Sequence, residues 1–144
     1  ILPKRERNGH KMTKHEIREA AFIILYQMEL TGESSGEIAD CTYEAFDMPS
    51  NKSVLDLADK VWEKRGELDI IIGKYSPSRA AARISKVDLS ILRIAVYELT
   101  FEQNKVPPKV AINEAIELTK AYAEKSDRLF VNGLLNSYYK DLEK

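Results

Sequence analysis

Apolar side chains recur along this chain at three- and four-residue steps, the period of helices that bury one face. Thr13 is placed to cap a first helix, and Glu16 three residues later completes a capping box. Ile17, Ala20, Ala21, Ile24 and Met28 supply its buried face, and Gly32 ends it. A shorter acidic helix is expected over Ser35–Phe46, with Ile38, Ala39, Tyr43 and Phe46 inward and Met48-Pro49-Ser50 as its stop. Val54, Leu57, Ala58, Val61, Leu68 and Ile72 then predict one long helix from Ser53 to Tyr75, with Trp62 beside the stripe. Ser76-Pro77-Ser78 breaks the pattern, and Arg79–Ile84 reads as a short helical turn.

Ser85 and Asp88 form a second capping box, opening a strongly apolar helix through Ile91, Leu92, Ala95 and Leu99. After Val106-Pro107, Pro108 suits the first position of a helix carrying Val110, Ile112, Ala115, Leu118 and Tyr122. Ser126 is the expected cap of a last helix with Phe130, Leu134 and Tyr138 on one face. Gly133 falls inside that helix, where it costs about 1 kcal/mol relative to Ala, so close approach of a backbone or ligand is the expected reason for it. No segment alternates like a strand and no repeat is visible. The expected fold is all-α, about seven helices joined by short loops. Residues 1–11 show no periodicity and precede Met12, a candidate start; they read as an expression remnant or a flexible basic arm, leaving 12–144 as a single domain.

With 144 residues, 44% hydrophobic and 31% charged, the chain suits one compact domain. Its longest apolar run, Ala20 to Tyr26, is too short to cross a membrane. A single Cys, Cys41, excludes an intrachain disulfide or a cysteine-built metal site and fits a reducing, cytoplasmic compartment. The net charge of −1 is unevenly spread. The first twenty residues and the block from Lys74 to Arg93 are basic, whereas residues 29–69 are strongly acidic. Such blocks suit two kinds of partner, and equally suit ordinary solvated helix surface, which charge alone favours.

Catalysis has little to work with. His10 and His15 lie in or beside the N-terminal arm, and Cys41 sits among acidic residues that would raise a thiol pKa. Phosphate-binding, dinucleotide and zinc motifs are missing. No enzyme, cofactor or metal is expected. His15, Arg18, Phe22 and Tyr26 form a stripe on the first helix, a basic end leading into aromatic rings of the kind that holds RNA phosphates and stacks on bases. The alternative is that Phe22 and Tyr26 pack against a second helix layer with Arg18 solvated, and spacing alone favours it. Lys120, Lys125 and Arg128 surround the last helix entrance, whose N–H groups favour anions, although Asp127 could satisfy them instead.

Three motifs go beyond periodicity: Ile91-Leu92-Arg93-Ile94-Ala95-Val96-Tyr97-Glu98-Leu99, then Val106-Pro107 with Lys109-Val110-Ala111-Ile112-Asn113-Glu114-Ala115-Ile116-Glu117-Leu118, then Phe130-Val131-Asn132-Gly133-Leu134-Leu135. Together with Arg18, Ala20-Ala21 and Leu25-Tyr26 they closely resemble the bacterial antitermination factor family NusB, over about Met12 to Leu142. The resemblance implies two small helical bundles packed across each other. It implies binding of the boxA element of nascent ribosomal RNA leaders together with NusE, a ribosomal protein, in an antitermination complex with RNA polymerase and other Nus factors. Monomers and dimers both occur in the family, so a homodimer is open.

Carried over by position, the resemblance implies RNA contact at Lys14, His15 and Arg18, where Glu16 departs from the family's arginine-rich pattern. It also implies contact at Lys120, Ser126, Arg128 and Phe130, near which Lys125 falls, while Phe130 equally suits a core position with Leu134. Tyr26 and Asp88 fall on the family's partner-facing surface, and Asp88 equally suits the capping box. Asn132 and Gly133 read as structural. Arg18→Glu is therefore expected to weaken RNA binding at unchanged stability. Two other functions compete: a protein-binding helical scaffold, and the accessory domain of ribosomal RNA cytosine-5 methyltransferases. The latter needs a further α/β domain, for which the residues after Gly133 leave no room.

Overall fold

The computed structural model describes residues 11–45, 51–76 and 83–144. Among them the secondary structure is helical: α1 (Lys14–Thr31), α2 (Ser35–Ala45), α3 (Lys52–Glu63), α4 (Arg65–Lys74), α5 (Lys86–Phe101), α6 (Pro108–Tyr122) and α7 (Asp127–Leu142). The expected stops at Met48-Pro49-Ser50 and at Pro77-Ser78, the inward Phe46 and most of the turn at Arg79–Ile84 lie outside the described residues, as do residues 1–10 with His10. The chain divides into two compact units, Ile1–Trp62 and Glu63–Lys144.

In the first unit, the Thr13 N–H donates to Glu16 Oε1 at 2.8 Å and the Glu16 N–H donates to Thr13 Oγ1 at 3.1 Å, closing the expected capping box. Gly32 ends α1 at φ +76°, a left-handed conformation that glycine adopts without a Cβ clash, and its N–H donates to the Met28 carbonyl. Ala20, Ala21, Ile24, Leu25 and Met28 are buried, and so are Ile38 and Ala39 of α2 and Val54, Ala58 and Val61 of α3. Thr42 Oγ1 donates to Gln27 Oε1, tying α2 to α1, and Ser35 Oγ donates to Asp59, tying α2 to α3.

The second unit is organised around α5, which is buried without interruption from Asp88 to Leu99 and is contacted by α4, α6 and α7. The single long helix expected from Ser53 to Tyr75 is instead two helices. Lys64 leaves helical geometry at φ −92°, ψ 3°, and its ammonium lies over the Phe101 ring, 5.1 Å from the centroid. The apolar stripe keeps its phase across the break, since Val61, Leu68 and Ile72 are all buried, so periodicity could not reveal it. Pro108 opens α6 as expected. Ser126 departs from expectation: it precedes α7 with αR geometry and its side chain makes no capping bond.

A charged pair joins α4 to α5. Arg93, 4% exposed, holds Asp69 of α4 through Nε–Oδ1 at 2.8 Å and Nη2–Oδ2 at 2.7 Å. Arg93 is thus a buried structural cation and not part of a basic surface block. At the far ends of α4, α5 and α7, the Tyr75 ring meets the Tyr138 ring at 5.4 Å, and Tyr138 shares a 2.7 Å hydrogen bond with Thr100 Oγ1. Tyr75 OH donates to the Asp141 carboxylate. That bond pushes the Tyr75 pKa up to about 12 and holds Asp141 below the usual carboxylate range. Burial, with Glu102 beside it, likewise raises Tyr97 to about 12.

Candidate nucleic-acid interface

The entrance of α1 presents Lys11, Lys14 and His15, all exposed. The Glu16 carboxylate beside them accepts from the Thr13 N–H and keeps its negative charge. The aromatic stripe expected behind this entrance is mostly not a surface. Arg18 is 5% exposed and Phe22 3%, while Tyr26 is half-buried, its ring 6.3 Å from that of Phe22. The expectation that Arg18→Glu spares stability is therefore corrected, since a carboxylate there would be introduced into a desolvated position. The apolar stripe on α1 is broader than the three- and four-residue pattern suggested, and Arg18 and Phe22 lie on its edge.

In the second unit, Lys120 in the last turn of α6 and Lys125 and Ser126 in the connection into α7 are exposed. Lys120 sits 3.7 Å from Glu117 in a surface ion pair that contributes little energy and is easily exchanged. Arg128 is half-buried, and its Nε is shielded from water with no hydrogen-bond partner among the described residues. Phe130 is also half-buried, one turn from the buried Leu134. Ser85, Val87, Tyr122, Lys125 and Asp127 line a shallow groove beside this entrance.

Asp88 is not at the surface: it is 0% exposed, with its N–H donating to Ser85 Oγ at 3.1 Å. As a partner contact it is corrected to a buried residue of the α5 entrance. Gly133 is corrected in the opposite sense. It is exposed, and a Cβ built there meets nothing within 4 Å among the described residues, so none of their backbone approaches it. Asn132 is exposed too, and Asn136 Nδ2 donates to both its carbonyl and its Oδ1, at 2.9 and 2.8 Å. The sequence signal for this face was the glycine itself, an unfavourable residue in the middle of a helix.

Cys41 is exposed on α2. Among the described residues no group of three or more His, Cys, Asp or Glu side chains could hold a metal ion. No described helix is long and apolar enough to cross a membrane. The fold and these features are those of a small all-helical protein with cationic helix entrances. Residues 15–140 match the NusB family, and this chain belongs to it. It is 37% identical over 129 residues to the transcription antitermination protein NusB of Syntrophus aciditrophicus, covering 88% of this chain and 80% of that one. Its fold is similar to that of T. maritima NusB, at TM-score 0.77 and 32% identity over 92% of this chain and 94% of the other. It is equally similar to a chain in the crystal structure of the antitermination factors NusB and NusE in complex with double-stranded RNA, at TM-score 0.77 and 30% identity over 90% of this chain and 99% of that one.

Proposed function

We propose that residues 12–144 act as one RNA-binding domain of a cytoplasmic transcription antitermination factor. It binds the boxA element of nascent ribosomal RNA together with NusE, works within the RNA polymerase complex with other Nus factors, and catalyses no reaction. The observation that carries this reading is family membership over most of the chain, joined to the likeness with a NusB bound to NusE and RNA.

Lys14 and His15 at the α1 entrance and Lys120, Lys125 and Ser126 before α7 are the exposed groups that meet phosphates. Lys14, His15, Lys125 and Ser126 lie at or beside a helix N-terminus, whose partial positive charge adds to the attraction, whereas Lys120 stands in the last turn of α6. Arg128 contributes through its unpartnered Nε: a desolvated donor without an acceptor costs about 1–3 kcal/mol, so an arriving phosphate relieves that cost by drawing the side chain outward. The half-buried Tyr26 and Phe130 offer ring edges to bases or to NusE. Arg18 and Phe22 support this surface from beneath.

Fluorescence anisotropy with labelled boxA RNA and a scrambled RNA, with and without NusE at two salt concentrations, tests the proposal. Preferential boxA binding that NusE tightens is the expected result. With three or four phosphate contacts, log K should fall with log salt at a slope of about −2 to −3. Equal binding of both RNAs, unaffected by NusE, would leave a protein-binding scaffold as the better reading.

A further inference from the structure

Asn132 and Gly133 are neighbours in the middle of α7, and together they carry a reactivity that neither has alone. An asparagine amide can be attacked by the backbone nitrogen of the next residue. The attack is least hindered where that residue is glycine, which has no Cβ to crowd the ring and the widest backbone freedom. The other asparagines among the described residues, Asn51, Asn104, Asn113 and Asn136, precede Lys, Lys, Glu and Ser. Asn132 and Gly133 are both exposed, so water reaches the pair. The closed helix nevertheless holds the reaction off. Ring closure needs Cβ, Cα and C of Asn132 and the Gly133 nitrogen nearly in one plane, and a helical ψ of about −42° keeps them far from it. The Gly133 N–H is spent inside the helix on the carbonyl four residues back. Asn136 Nδ2 fixes the Asn132 amide by donating to its Oδ1 at 2.8 Å. Opening the helix here must also pull on Val131, Leu134 and Leu135, all buried. Gly133 works against this restraint, because it weakens a helix relative to Ala and packs against none of the described residues.

We infer that Asn132-Gly133 is a self-modification site gated by α7, unreactive in the closed helix and converted by water to aspartate or isoaspartate when the helix opens. The inference is independent of the RNA-binding reading. The Gly133 nitrogen loses its proton and bonds to Asn132 Cγ as the Cγ–Nδ2 bond breaks, and ammonia leaves with that proton. Water then opens the five-membered imide at one of its two carbonyl carbons, leaving one new carboxylate. Opening at Cγ gives aspartate. Opening at the backbone carbon gives isoaspartate, in which the main chain runs through the former side chain and is one carbon longer. Refolding reverses neither product. Each opening that reacts therefore leaves a permanent mark in a helix whose inner face, through Val131, Leu134 and Leu135, belongs to the core of the second unit.

The full chain, held at neutral pH in buffer and in denaturing urea, provides the test. Conversion is followed by mass spectrometry of the tryptic peptide Leu129–Lys140, with fragmentation to separate Asn132 from Asn136. Asn132 is expected to convert in urea, and at least about tenfold more slowly in buffer, because only the open fraction reacts. Gly133→Ala should slow the reaction in urea by about tenfold or more, since its methyl crowds the attacking nitrogen. Leu135→Val, a mild truncation beside the site, should convert several-fold faster in buffer at an unchanged rate in urea. Failure of Asn132 to convert in urea would overturn the site. Equal rates in buffer and urea would overturn the gate, and so would a Leu135→Val chain that melts lower yet converts no faster in buffer.

Discussion

Arg93 of α5 and Asp69 of α4 meet as a planar two-bond pair, with Nε and Nη2 each within 2.8 Å of a carboxylate oxygen. The geometry is rigid on both sides, and the guanidinium is almost wholly removed from water while Asp69 keeps 30% of its side chain exposed. The pair therefore fixes α4 against α5 in one register, and the carboxylate helps to offset the cost of burying the cation.

Removing the carboxylate should consequently cost more than an ordinary surface ion pair. Asp69→Ala is expected to destabilise the protein by about 2–4 kcal/mol, because the buried Arg93 guanidinium loses both bonds to this carboxylate; the partial exposure of Asp69 keeps the loss below the upper range for fully buried pairs. Urea denaturation reads this directly. A loss under about 0.5 kcal/mol would mean that water replaces the carboxylate without penalty.

Arg18 and Lys14 lie one helical turn apart and should respond oppositely to the same change. Arg18→Glu places a carboxylate where the side chain is 5% exposed and should cost at least about 2 kcal/mol. Lys14→Glu, on the exposed first turn, should leave the melting temperature nearly unchanged and weaken RNA binding. Melting curves and anisotropy on the same two variants separate the effects.

Gly133→Ala should raise stability by about 0.5–1 kcal/mol, since the backbone is helical and the added methyl enters open space. Chemical denaturation checks it. A decrease would indicate a neighbour that the isolated chain does not reveal.

The Tyr75–Asp141 bond gives stability a defined pH window. Asp141 is depressed in the folded state, so its contribution is present above the unfolded carboxylate pKa of about 4 and is lost as pH falls through the folded value. Tyr75 is raised, so its contribution is complete below about 10, the unfolded value, and is lost as pH rises toward the folded pKa of about 12. Tyr75→Phe should therefore destabilise by a constant amount between about pH 5 and 9, and the difference should shrink in more acid solution. Denaturation midpoints across that range provide the check.

Much of this architecture was written locally. The Thr13–Glu16 box, the Gly32 stop, the Ser85 cap and Pro108 at a helix start each depend on residues within four positions of one another, and all four are found where the pattern put them. What escaped was decided by distant neighbours. The Phe101 ring that Lys64 faces at the break lies thirty-seven residues away in sequence. The same holds for Arg18, whose residue type suits a surface and whose position is buried by tertiary packing, whereas spacing already favours a packed Phe22 and the Ser85 cap already accommodates Asp88. Gly133 is recognisable in the sequence as costly to a helix, but its exposure is a property of the folded protein.

The clasp formed by Tyr75, Tyr138, Thr100 and Asp141 bears on how this protein comes apart. Terminal helical turns ordinarily fray, exchanging their amide hydrogens long before the rest of a domain opens. Here the turn carrying Tyr138 and Asp141 is fastened to α4 and α5, so its amides should exchange more slowly than those of an untethered helix end. A protease seeking a loose tail would find its earliest cuts elsewhere, and the carboxy-terminal helix would be released only when the whole second unit unfolds.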